Sequence, residues 1–119
     1  MFESLKTAGA FANLMRNREG VQKAIQRVKD NLESKRIMGD GGGGAVKVTV
    51  NGRMRVIEVK VDPAMFKTGD AASVAMANQI IADAMNTAIT RAQEIAAKEI
   101  AREAEAMGLP TGGLEKLLA

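Results

Sequence analysis

The stretch Gly41-Gly42-Gly43-Gly44-Ala45-Val46-Lys47-Val48-Thr49-Val50-Asn51-Gly52 decides the middle of the fold. Apolar and polar residues alternate from Val46 to Val50, which predicts a strand with one buried and one wet face. Asn51-Gly52 follows directly, and both residues tolerate positive φ, so a hairpin turn is expected there. The return strand holds Val56, Ile57, Val59 and Val61, with Glu58 and Lys60 outward. Alternation fails at Val56-Ile57, which predicts a bulge or a strand covered on both faces. Asp62-Pro63 ends the strand, because Pro cannot donate to a ladder. Upstream, four consecutive glycines are too costly in unfolded-state entropy for the interior of a regular element. The run lacks the Gly-Lys-Ser/Thr ending of a P-loop, so a connector or strand-edge bend is favoured over a phosphate cradle.

Outward from this hairpin the pattern becomes helical. Residues 3–36 are expected to form a helix whose apolar seam is Phe11, Leu14, Val21, Ile25, Val28 and Leu32, interrupted by Arg18. The spacing is heptad-like over about three heptads, the lower limit for a coiled coil. Gly20 predicts a bend, or the end of a first short helix. After the hairpin, residues 64–67 read as a short helical turn and Asp70 as an N-cap. An Ala-rich helix is expected over 71–107, stopped by Gly108 and Pro110 and followed by a frayed tail, 108–119.

A chain of 119 residues suits one domain, 1–119, with a small core. Its aromatic residues are Phe2, Phe11 and Phe66, so the core must be aliphatic. Cys and His are absent from the sequence. Disulfides and thiolate metal sites are thereby excluded, and the commonest general base is missing. Glu58, Asp62 and Asp70 could be read as acid–base or Mg²⁺ groups, but turn and cap roles account for Asp62 and Asp70. No enzyme, metal site, cofactor or small-molecule substrate is expected. The N-terminus lacks a secretory pattern and no run approaches the roughly 18 apolar residues of a membrane span, so a cytoplasmic protein without membrane contact is expected.

Charge is segregated. Residues 1–36 carry eight Lys/Arg against four Asp/Glu, whereas residues 71–119 carry four against six. A polyanion partner for the first third would explain this; a merely solvated basic helix would too. At 100° per residue, Arg16, Lys23 and Arg27 share the side far from the seam, and Arg18, Lys29 and Arg36 form a second stripe beside it. Lys35 joins them at the helix end. Either stripe could lie along phosphates, although the second could equally cover the edge of an interface. In the last helix, Arg91, Lys98 and Arg102 share a face, with intrahelical pairing to nearby Glu favoured over a DNA role. Lys47, Arg53, Arg55 and Lys60 make the hairpin basic, most simply as edge protection. A long seam on so small a chain predicts a homodimer that buries Phe11, Leu14, Val21, Ile25, Val28 and Leu32.

The order of these signals resembles the YbaB/EbfC family of bacterial nucleoid-associated proteins. The residues that carry the resemblance are Gly42 through Gly52, then Val59-Lys60-Val61-Asp62-Pro63, with Asn78, Met85, Asn86 and Gly108-Leu109-Pro110 in keeping. The resemblance implies an α+β fold in the order α-β-β-β-α, with a first strand near Ile37-Met38-Gly39-Asp40. It also implies a homodimer with projecting helices, duplex DNA as partner and a place on the nucleoid. Met54 departs from the pattern, because a small residue, often Gly, is usual in that turn. Gly20 departs as well, in a helix that is usually uninterrupted. No helix-turn-helix spacing, zinc ligand set or aromatic platform points to base-specific reading. The competing expectation is a structural or adaptor dimer that works through helix–helix contacts with a protein partner.

Overall fold

A computed structural model of the chain describes residues 18–108, together with Gly9, Ala12 and Arg16. The long elements run α1 (Arg18–Ser34), β1 (Ile37–Gly41), β2 (Val46–Val50), β3 (Val56–Val61) and α2 (Ala71–Ala106). This is the α-β-β-β-α order of an α+β fold. Residues 3–8, the seam residues Phe11 and Leu14, and the tail beyond Gly108 lie outside the described residues. The first helix does not end at Gly20: α1 passes through it, and Gly9, Ala12 and Arg16 are also helical.

The strands form an antiparallel meander, β1-β2-β3, with Ile37 opposite Val50 and Val46 opposite Val61. The alternation of β2 holds: Val46, Val48 and Val50 are fully buried while Lys47 is exposed. Each such valine is worth roughly 1.5–3 kcal/mol of burial. The break in alternation at Val56-Ile57 is a bulge, since Thr49 faces Glu58 but Val50 faces Val56, leaving Ile57 as the extra residue. The other reading, a strand covered on both faces, does not hold within one copy, because β3 is largely exposed.

The hairpin turn differs from the expected two-residue form. Its loop spans residues 51–55, closed by the Asn51 amide donating to the Arg55 carbonyl at 2.9 Å. The buried Asn51 side chain accepts from the backbone N–H of Arg53 (2.9 Å) and of Arg55 (3.1 Å). Positive φ falls on Met54 (64°), not on Asn51 or Gly52. Gly52 is required for a different reason. Its N–H donates to the Leu32 carbonyl at 2.7 Å, and a Cβ there would lie 2.8 Å from that oxygen. The turn therefore seats the end of α1. That end is further closed by the Ser34 hydroxyl on the Asn31 carbonyl (3.0 Å) and the Arg36 guanidinium on the Glu33 carbonyl (3.1 Å).

α2 crosses β1 and β2 and scarcely reaches β3. Its buried face is almost all alanine: Ala77, Ala84, Ala88, Ala92, Ala96, Ala101 and Ala104. Opposite Ala84 and Ala88 sits Gly39. A Cβ on Gly39 would collide with the Ala88 amide nitrogen and the Ala84 carbonyl, so the two backbones touch there without intervening side chains. Ile37, Val46, Val48 and Val50 fill the core beside this contact, with Ile80, Ile81, Met85 and Ile95 packed around it. The glycine run makes a tight turn over Gly42–Gly44, the expected strand-edge bend.

The expected stop and start signals operate. Asp62 caps a 3-10 turn over Pro63–Phe66 through the Ala64 amide at 3.0 Å, and Asp70 caps α2 through the Ser73 amide at 2.7 Å. The hydrogen bond from the Ser73 amide, helped by the Ser73 and Thr68 hydroxyls against a small desolvation cost, holds the Asp70 carboxyl below the usual carboxylate range. The molecule is long, 64 × 28 × 17 Å, with a radius of gyration of 20.0 Å. A compact chain of this length would have about 14 Å. The excess is the outer half of α2, which projects past the sheet with α1 alongside.

Two outcomes follow for stability. Gly39→Ala should destabilise the fold by about 2 kcal/mol or more in chemical denaturation, because its new methyl group meets backbone that cannot rotate away. Asp70→Ala should lower Tm at neutral pH, whereas Asp70→Asn should cap nearly as well. A carboxyl whose folded pKa is depressed stabilises above its unfolded pKa and loses that effect as pH falls through the folded value. The wild-type Tm should therefore fall relative to that of Asp70→Asn between about pH 5 and about pH 2. A constant difference across that range would remove the cap from the acid response.

Candidate nucleic-acid interface

The basic residues of α1 are sorted by how α2 packs on it. The contact is rotated from the expected seam. Ala24, which the seam omitted, is 2% exposed, and Leu32 is buried, whereas Ile25 is 49% exposed and Val21 and Val28 are half-buried. A small residue wins the closest approach because it lets the helix axes come together. Val21, Ile25 and Val28 line an open apolar groove of about 410 Å³, together with Leu32 and with Ile100, Ala104 and Met107 of α2.

This rotation brings one flank of α1 against carboxylates. Arg27 pairs with Glu103 at 2.6 Å, and Asn31 donates to Glu99 at 3.3 Å. Arg27 thus leaves the free side that the helical wheel assigned to it. The remaining cations are disposed differently. Arg16, Arg18, Lys23 and Lys29 are all exposed. Arg18, Lys23 and Lys29 have no ion-pair or hydrogen-bond partner among the described residues. Lys35 is half-buried, and Arg36 is held by the carbonyls of Glu33 and Lys35 at the end of α1.

On α2, the expected intrahelical pairing holds for one residue of three. Arg102 meets Glu99 at 3.6 Å, one turn away. Arg91 instead donates to the Met38 carbonyl of β1 at 2.8 Å, fastening helix to strand. Lys98 is exposed and has no partner among the described residues, so the Glu94–Lys98 pair does not form. On the hairpin, Lys60 lies 3.4 Å from Glu58, and Lys47, Arg53 and Arg55 are exposed. Sequence reasoning missed Glu99 and Glu103 as the partners of α1, since nothing local marks a contact between residues 68 and 76 positions apart.

Among the described residues there is no group of His, Cys, Asp or Glu able to hold a metal ion, and no helix long and apolar enough to cross a membrane. The arrangement offers two cationic rows on a projecting helix, one of them flanked by acids.

Comparison with known proteins gives this arrangement its class. The model of the YbaB/EbfC DNA-binding family matches residues 8–107, most of the chain. The chain belongs to the YbaB/EbfC DNA-binding family. Among solved structures it is similar to the uncharacterised protein HP0035 from Helicobacter pylori, at 18% identity and a TM-score of 0.50, over 64% of this chain and 84% of that one. That likeness concerns the fold.

The Arg27–Glu103 pair is solvent-exposed on the arginine side, with 63% of that side chain accessible. A double-mutant cycle with Arg27→Ala and Glu103→Ala should give a coupling of about 1 kcal/mol or less, shrinking as salt rises. A larger, salt-independent coupling would mean that Arg27 is locked in place.

Proposed function

We propose that the chain binds duplex DNA with little base preference through the cations of its first helix. The observation that carries this reading is that Arg18, Lys23 and Lys29 are exposed and have no ion-pair or hydrogen-bond partner among the described residues, in a member of a DNA-binding family. Rows of cations gain affinity by releasing counterions from DNA, whatever the sequence beneath them. Arg16 and Lys23 form one row and Arg18 and Lys29 the other, with Lys35 and Arg36 at the base of the helix. Arg27 and Arg102 are themselves exposed but hold the half-buried carboxylates of Glu103 and Glu99, which they must release to meet phosphate. Lys98 adds charge farther along the arm, and Arg91 reaches DNA only by releasing the Met38 carbonyl. The working particle is a homodimer associated with the nucleoid in the cytoplasm, without catalysis, and the seam of α1 contributes to its assembly.

The apolar groove lined by Val21, Ile25 and Val28 favours a second reading, an adaptor that takes a partner helix there. The two separate on one experiment. Arg16→Ala, Lys23→Ala and Arg27→Ala combined should weaken duplex binding by a similar factor for all sequences. The slope of log affinity against log salt should become shallower by about one for each phosphate that the variant no longer neutralises. Mobility shifts at two salt concentrations measure both. Unchanged affinity and slope, found again when Arg18→Ala and Lys29→Ala are added, would remove helix one from the interface and favour the adaptor.

A further inference from the structure

We infer that residues 109–119 turn back at Gly108 and cover the apolar groove between α1 and α2 of their own chain, with Leu114, Leu117 and Leu118 seated in it. This contact is independent of the DNA reading of the preceding section and bears on its alternative, the adaptor, whose partner helix would need the same groove.

Contiguous apolar surface of this kind marks a place where something binds. Among the described residues that line the groove, Lys29 and Glu103 are the only polar ones. Ile25 is exposed, and Val21, Val28, Ile100 and Met107 are half-buried. Two flanking segments of the chain could cover it, and the direction of the helices separates them. The pairs Arg27–Glu103 and Asn31–Glu99 make α1 antiparallel to α2. Helical residues continue outward from α1 through Arg16, Ala12 and Gly9, so the chain that precedes α1 leads away from the groove. The chain that follows α2 starts in it, because Met107 is a lining residue.

The end of α2 sets where the tail goes. The Gly108 amide donates to the Glu105 carbonyl at 3.0 Å, and the φ of Gly108 is 79°, in the left-handed region. A helix that ends this way turns its chain back across the last turn. The apolar residue after the glycine then packs on the residue five places before it, which pairs Leu109 with Ala104. Ala104 is buried and lines the groove. Beyond Leu109, Pro110 stops any return to the helix, and Thr111-Gly112-Gly113 is a flexible joint. Leu114, Leu117 and Leu118 are spaced three and four apart, so in a helical turn they share one side, with Glu115 and Lys116 off it. From Gly108 to Leu114 the chain reaches up to about 20 Å. The wall of the groove from Met107 back to Ile100 is only about 10 Å long. All three leucines therefore reach it. A short tether holds them there at an effective concentration on the order of millimolar, so a modest contact keeps the groove closed. A helix of another protein enters only by displacing the tail.

Two measurements on the full chain test this. The sequence has no cysteine, so a pair of introduced thiols reports contact. Ile25→Cys combined with Leu117→Cys should form a disulfide within one chain under mild oxidation. Met76→Cys combined with Leu117→Cys should not, since Met76 lies about 46 Å from Met107 along α2 and ten residues of tail span at most about 35 Å. Lys116 is the one trypsin site in the tail. Cleavage after it, followed by mass spectrometry, should be slow in the wild type and about tenfold faster in Ile25→Glu and in Leu114→Ser. Cleavage after Lys67 should stay the same in all three, which shows that they are equally folded. A disulfide that only joins two chains would seat the tail on another copy and overturn the proposal. So would the absence of a disulfide, or cleavage after Lys116 that is equally fast in the wild type and both variants; either leaves the groove open to a partner helix.

Discussion

The backbone of α2 lies against the backbone of β1 where Gly39 faces Ala84 and Ala88, and the rest of the architecture is arranged around that contact. Neither surface carries a side chain larger than a methyl group there, so the helix approaches closer than a sheet of branched residues would allow. The bulk needed to exclude water is displaced to the neighbouring strand, where Val46, Val48 and Val50 fill the space under the helix. This explains how a chain with so few aromatic residues closes a core. It also explains why the core is narrow: close approach over β1 and β2 leaves nothing to cover β3.

The length of α2 has a second consequence. Its 36 residues extend far beyond strands of five and six, and a helix arm with an alanine face cannot bury itself alone. α1 supplies the missing surface through Ala24 and Leu32, and the Gly52 amide on the Leu32 carbonyl fixes where α1 meets the sheet. The same docking sorts the charges. Glu99 and Glu103 of α2 face Asn31 and Arg27 on one flank, while Lys23, Arg18 and Lys29 project into solvent. Surface ion pairs of this kind contribute little to stability. Their larger effect here is to set which parts of the arm present positive charge.

Features set by neighbours in sequence are legible without the fold. The alternation of β2, the irregularity at Val56-Ile57, the Asp70 cap and the stop at Gly108 each depend on a few adjacent residues, and each appears where expected. Features set by what a residue meets across the fold are not. Gly52 reads as a turn former, yet it is needed because Leu32 lies against it, and the positive φ falls on Met54. A helical wheel finds an apolar seam on α1 but not that Ala24 is the point of closest approach, since periodicity describes one surface and packing involves two. Arg27 looks free on the wheel for the same reason. The glycines of β1, Gly39 and Gly41, have no physical cause that the sequence shows until α2 is placed against them.

On the DNA reading, the spacing of the cations bears on specificity. Residues four and seven apart on a helix are about 6 and about 10.5 Å apart along its axis. Phosphates on one DNA strand recur about every 3.4 Å along the duplex. A row such as Arg16, Lys23 and Arg27 therefore meets only every second or third phosphate, and long flexible side chains absorb the mismatch. Sliding the helix by one base pair then changes which phosphates are touched but hardly how many. Such an interface has no register on the bases, and with no Trp, Tyr or His in the chain the usual stacking groups are almost absent. Preference for particular DNA would have to come from the shape or stiffness of the duplex between the arms. In the proposed homodimer the distance between two such arms would be set by whatever joins the copies, and that interface would govern which duplex geometries fit as directly as the cations do.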